Sequence, residues 1–149
     1  MQLINGFNLT SSIKDVSFCW VTVGNEAILG SGSAYVYVAM NNMHTALTSI
    51  GLFSTRVTTI VLIKILGISN PPSAGAFSKE ALVTMYDIAA FLLGTGALLM
   101  LNVYPYFAYA AYPDHISFEF ATFRSKEPVL DGTLGYYRLF DAIVDSCNA

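Results

Sequence analysis

The chain has 149 residues, of which 54% are apolar or aromatic and only 11% charged, well below the roughly one quarter usual for soluble domains. A net charge of −3 with no basic cluster excludes the electrostatic footprint of a nucleic-acid binder. The length suits one domain with a real core, and the apolarity points to a membrane, to a covering partner, or to membership of something larger.

Met1-Gln2-Leu3-Ile4-Asn5-Gly6 lacks the charged and long apolar regions of a secretory signal. Asn8-Leu9-Thr10 is a glycosylation sequon, of consequence only in a secreted chain. The first strand is expected from about Ser17 to Val23, closed by Gly24-Asn25-Glu26. A helix should follow Ser33, with Val36, Met40, Met43, Leu47 and Ile50 on one face and Gly51 at its end. A second strand is expected over Arg56 to about Ile63, rich in β-branched residues. Ser69 to Gly75, with its paired prolines, reads as a loop, and Ser78 as the N-cap of a second helix. Leu82, Met85, Ala89 and Leu92 form the expected inward face of that helix, and Gly94 its stop. The third strand should run from Ala97 to about Val103, continuously apolar as in parallel sheets covered on both faces. Tyr104 to Thr133 reads as an aromatic loop, and Leu139, Phe140, Ile143, Val144 and Cys147 mark a last helix onto which Tyr136 and Tyr137 pack.

The longest uncharged apolar stretch, Ile88 to Val103, is broken by Gly94, Thr95, Gly96 and Asn102. It falls short of the roughly 20 apolar residues of a membrane span, so no span is expected. Cys19 and Cys147 have no metal-ligand spacing and are expected to be buried free thiols. The fold class expected is α/β, about three βα units. A closed (β/α)₈ barrel takes eight units in about 250 residues. A lone three-stranded parallel sheet would leave two apolar edges open, so the chain reads as the middle of a larger domain.

Five stretches carry a family signature. They are Val23-Gly24-Asn25-Glu26, Ala39-Met40-Asn41-Asn42-Met43-His44-Thr45-Ala46-Leu47, Pro71-Pro72-Ser73-Ala74-Gly75-Ala76-Phe77, Asn102-Val103-Tyr104-Pro105-Tyr106-Phe107 and Leu139-Phe140-Asp141-Ala142. In this order the chain resembles plant glycoside hydrolase family 17, the endo-1,3-β-glucanases, from about 18 to 145. The resemblance implies a partial (β/α)₈ TIM barrel, strands four to six with their helices, in a single incomplete catalytic domain over 1–149. It implies a retaining glycosidase acting on 1,3-β-glucan, with Glu26 as general acid/base and Asn25, Asn102, Tyr104 and Phe107 binding sugar. It implies no cofactor, metal or protein partner, and an extracellular or cell-wall location.

The family's nucleophile stretch, Ser-Glu-Ser-Gly-Trp-Pro, has no match, since the only tryptophan is Trp20 and no glutamate follows Glu127. The chain by itself is therefore expected to be inactive, with a non-catalytic glucan-binding role as the alternative. Departures from the family pattern fall at Leu62-Ile63-Lys64, Leu130 and Arg138. Asp114, Glu119, Glu127 and Asp131 are weighed and rejected as substitutes for the second carboxylate. His44 and His115 read as structural.

Overall fold

β-Branched and apolar runs build three strands that hydrogen-bond in parallel: β1 (Trp20–Asn25), β2 (Arg56–Leu62) and β5 (Met100–Asn102), in the order β1-β2-β5. The computed structural model describes residues 17–149, so the Asn8 sequon and the N-terminal hexapeptide lie outside the described residues. Between the strands come α1 (Ser33–Ser49) and α2 (Lys79–Thr95). A short antiparallel pair, β3 (Leu66–Ile68) and β4 (Ala76–Phe77), encloses the proline loop. The remainder holds α3 (Pro105–Ala111), α4 (Phe118–Ala121), a hairpin of β6 (Val129–Asp131) and β7 (Leu134–Tyr136), and α5 (Leu139–Ser146). This is an α/β arrangement, and the described residues form no closed barrel.

The main core lies between the sheet and the two long helices. Val57 and Val61 of β2 pack with Met40 of α1 and with Met85 and Ile88 of α2, all essentially inaccessible. Burying such side chains is worth about 1.5–3 kcal/mol each. A second cluster joins Phe120 and Ala121 of α4, Tyr136 of β7, and Leu139 and Ile143 of α5. Leu101 of β5 packs against both clusters and links them. Tyr136 thus packs the last helix as expected, whereas Tyr137 is exposed.

Several elements differ from the expectations. The first strand begins at Trp20 and runs on to Asn25. On α1, Val36, Met40 and Leu47 are buried, but Met43 and Ile50 are exposed. The inward face of α2 is Ala81, Met85, Ile88 and Leu92, while Leu82 is 50% exposed. This helix is apolar nearly all round, so a 3.6-residue period fits two adjacent stripes equally. Ser78 does cap it, its Oγ accepting from Ala81 N–H at 3.1 Å. The helix passes through Gly94 and ends at Gly96, whose φ of +64° is left-handed. The third strand is only three residues long, and just before it Leu98 C=O accepts from Thr58 Oγ1 at 2.6 Å. The 104–133 stretch contains helices too short for periodicity to register, one opened by Pro105 at its first turn and one capped by Ser117. Both cysteines are free, but Cys19 is exposed and Cys147 half-buried, in place of the burial expected.

Candidate active site

Glu26 owes its placement to a defect in the β1–β2 ladder. The register runs Thr22↔Thr58 and then Asn25↔Ile60, three steps on β1 against two on β2. The extra residue is a bulge, a device that re-aims side chains. Gly24 has φ +79° and Glu26 φ +58°, a left-handed region that costs most residues about 1–2 kcal/mol. Glu26 is anchored there by its N–H donating to Ile60 C=O at 2.8 Å. A Cβ on Gly24 would sit 3.4 Å from Ala27 Cβ and 3.7 Å from Thr59 Oγ1. Those are ordinary contacts, so it is the positive φ that suits the turn to glycine.

Because the sheet is parallel, the carboxyl ends of its strands share one rim. Asn102 ends β5, opposite Leu62 of β2. β1 and β5 are separated by β2, about 10 Å in all, and side chains close that gap. Asn102 Nδ2 donates to Glu26 Oε1 at 2.6 Å and to Asn25 Oδ1 at 3.1 Å. The Tyr104 hydroxyl donates to the same Glu26 Oε1 at 3.1 Å. That bond, together with partial desolvation and the repulsion of a second negative charge beside Glu26, raises the Tyr104 pKa above its ordinary value. Tyr104 is thus a dependable donor at neutral pH.

Phe107 stands outside this network. Its ring is 5.6 Å from that of Tyr104 and is 65% exposed. From it an aromatic row continues through Tyr106 and Tyr109 to Phe118, at centroid spacings of 6.2, 6.1 and 5.5 Å. Of the five residues singled out from sequence, four share one hydrogen-bond network and the fifth adjoins it. A cavity of about 60 Å³ beside Glu26 is lined by Ile28, Leu29, Val61, Leu62, Lys64 and Ile65. Lys64 is the functional-type residue not proposed for the site, and its signal was the one cation in an apolar stretch.

Among the described residues no second carboxylate hydrogen-bonds within the Glu26 network. Asp131 is engaged elsewhere, accepting from Ser73 N–H at 2.7 Å and Ser73 Oγ at 2.8 Å. His44 meets the Phe91 ring edge-on at 5.7 Å, a helix-packing contact. No group of three or more metal-ligating side chains occurs among the described residues.

A parallel α/β sheet with a carboxyl group and amides gathered on its carboxyl rim has the layout in which such folds keep their sites. Comparison with known proteins narrows this to a family. The family model described as glycosyl hydrolases family 17 matches residues 7–149, and the chain belongs to that family. It is 44% identical over 132 residues to Lichenase-2 of Hordeum vulgare, covering 88% of this chain and 42% of that protein. It is 41% identical over 136 residues to glucan endo-1,3-beta-glucosidase GII of Hordeum vulgare, covering 90% of this chain and 40% of that protein. A solved structure from work on two plant beta-glucan endohydrolases with distinct substrate specificities superposes with a TM-score of 0.84 at 43% identity, covering 90% of this chain and 44% of the other. CJP38, a beta-1,3-glucanase and allergen of Cryptomeria japonica pollen, superposes with a TM-score of 0.83 at 34% identity, covering 88% of this chain and 42% of the other. The chain spans about 42% of the length of the curated relatives it matches.

Proposed function

We propose that these residues are part of a family 17 endo-1,3-β-glucanase and carry its general acid/base, Glu26. The observation that carries this is the convergence of Asn102 and Tyr104 on the Glu26 carboxylate at a strand-end rim. In this role Glu26 gives its proton to the glycosidic oxygen as the anomeric C–O bond breaks and a second carboxylate bonds to the anomeric carbon. In the return half it takes a proton from the attacking water. Retaining chemistry asks for that second carboxylate about 5–5.5 Å away. Asn25 and Asn102 offer amides to sugar hydroxyls, and Tyr104 and Phe107 offer ring faces for apolar burial of a pyranose.

The parallel β1-β2-β5 rim fits strands four to six of a (β/α)₈ barrel, within a single domain of which residues 1–149 are a part. The substrate class is β-glucan. The 1,3 linkage is favoured because relatives of comparable identity include a named glucan endo-1,3-beta-glucosidase, while the lichenase relative makes linkage preference the point to test. An extracellular or cell-wall site of action follows from an insoluble polysaccharide substrate. Among the described residues no helix is long and apolar enough to cross a membrane.

A second reading, glucan binding without cleavage, is favoured by the lack of a carboxylate partner in the Glu26 network among the described residues. The chain alone is expected to show no turnover of laminarin. In a polypeptide of the relatives' full span, Glu26→Gln should lower laminarin hydrolysis about 10²–10⁴-fold, the range of general acid catalysis. Unchanged hydrolysis by Glu26→Gln would sink the assignment. Parallel assays on lichenan decide linkage, and titration calorimetry of the folded chain with laminari-oligosaccharides tests binding, flat heats ruling it out.

A further inference from the structure

We propose that Asn102 and Tyr104 are positioning residues for the Glu26 proton: they pin Oε1 as an acceptor, so that Oε2 is the oxygen that takes up and releases it. This deepens the acid/base role assigned to Glu26 and rests on it. Three observations carry it. Both donors meet the same oxygen, at 2.6 and 3.1 Å. Asn102 also donates to Asn25 Oδ1, which fixes the amide plane with its nitrogen towards the carboxylate. The left-handed backbone at Glu26 is itself fixed by its N–H bond to Ile60 C=O, which sets where the side chain starts.

An oxygen that already accepts two hydrogen bonds is the poorer place for a proton, because protonation there would set O–H against N–H and O–H donors. Oε2 makes no bond to the described residues. When the proton moves forward, the Oε2–H bond breaks as the O–H bond of the leaving sugar hydroxyl forms. The resulting carboxylate is already held at Oε1. Donation to Oε1 favours that ionised form.

Two titratable groups face Glu26 among the described residues. From the segment after β5 comes Tyr104, and from the turn after β2 comes Lys64, which lines the cavity beside it. Asn25 and Asn102 are neutral. Replacing Asn102 therefore removes a donor and leaves every neighbouring charge in place.

The test uses the 149-residue chain with ¹³C-carboxyl-labelled glutamate, the Glu26 resonance being assigned by Glu26→Gln. In Asn102→Leu the Glu26 carboxyl resonance should be displaced throughout the titration from its place in the unaltered chain, as expected for a carboxylate that loses a hydrogen bond. Tyr104→Phe should move it in the same direction by less. Reciprocally, the Tyr104 phenol should titrate lower in Glu26→Gln than in the unaltered chain, where the carboxylate raises it. A Glu26 resonance unmoved in a folded Asn102→Leu overturns the proposal. If that variant fails to fold, Tyr104→Phe decides instead, since it removes one hydroxyl from a ring that is 45% exposed. These titrations need no turnover, so they stand or fall separately from the hydrolase reading, which Glu26→Gln activity alone can sink.

Discussion

At Gly24 one residue's backbone freedom sets the direction of the acid. Its φ of +79° is a backbone conformation that strains any residue with a side chain, although a Cβ there would meet only ordinary contacts. Gly24→Ala should cost about 1–2 kcal/mol in urea unfolding and should also disturb the Glu26–Asn102 bond. An unchanged midpoint would show that the bulge tolerates a Cβ. Two neighbouring threonines offer an opposed pair. Thr58 and Thr59 are both fully buried, but Thr58 Oγ1 donates to Leu98 C=O whereas Thr59 Oγ1 has no partner among the described residues. Burying an unpaired hydroxyl costs about 1–3 kcal/mol. Thr59→Val should therefore be neutral or stabilising by about 1 kcal/mol, and Thr58→Val destabilising by a similar amount because Leu98 loses its donor. Equal effects from the two would contradict the bonding described. At this scale the motifs made Asn25, Glu26, Asn102 and Tyr104 legible as candidates. The meeting of Asn102 and Tyr104 on one Glu26 oxygen was not legible, because 76 residues of chain separate Asn102 from Glu26.

Among the elements, α2 separates pattern from packing. Ile88 is fully buried and Leu82 half exposed, although sequence periodicity alone put Leu82 on the inner face. Ile88→Ala should cost about 2–5 kcal/mol, as large-to-small core changes do, and Leu82→Ala within about 0.5 kcal/mol of zero. The reverse ranking by thermal or denaturant unfolding would restore the face expected from sequence. The cap at Ser78 was readable because capping is local, one side chain bonded three residues on. The stop at Gly96 was misread as Gly94 because either glycine can end a helix, and only the register of α2 on the sheet chooses between them.

At the scale of the whole molecule, the two clusters meet at Leu101, and the second one ties α5 to β7 through Tyr136. Tyr136 is 6% exposed and donates to Asp145 at 3.0 Å. Desolvation first, and then this bond and the nearby carboxylates, raise its pKa. A raised folded pKa gives stability that is complete below the unfolded value near 10 and is lost as pH rises through the folded value. Stability should therefore fall above about pH 10, and less steeply in Tyr136→Phe, which has no proton to lose. Parallel pH–stability curves for the two proteins, from denaturant melts between pH 8 and 11, check this; an identical alkaline slope would remove Tyr136 as the cause. Gly75 marks the same packing, since a Cβ there would overlap the Ser146 carbonyl oxygen.

The sequence by itself determined the α/β alternation, the two long helices, the parallel character of the strands and the family, because β-branched runs, capping residues and motif order act locally. Only the tertiary structure decided which stripe of α2 is buried, how short β5 is, and that Glu26 and Asn102 meet. Each of these is a choice among locally equivalent arrangements, and the choice is made by contacts between segments far apart in the chain.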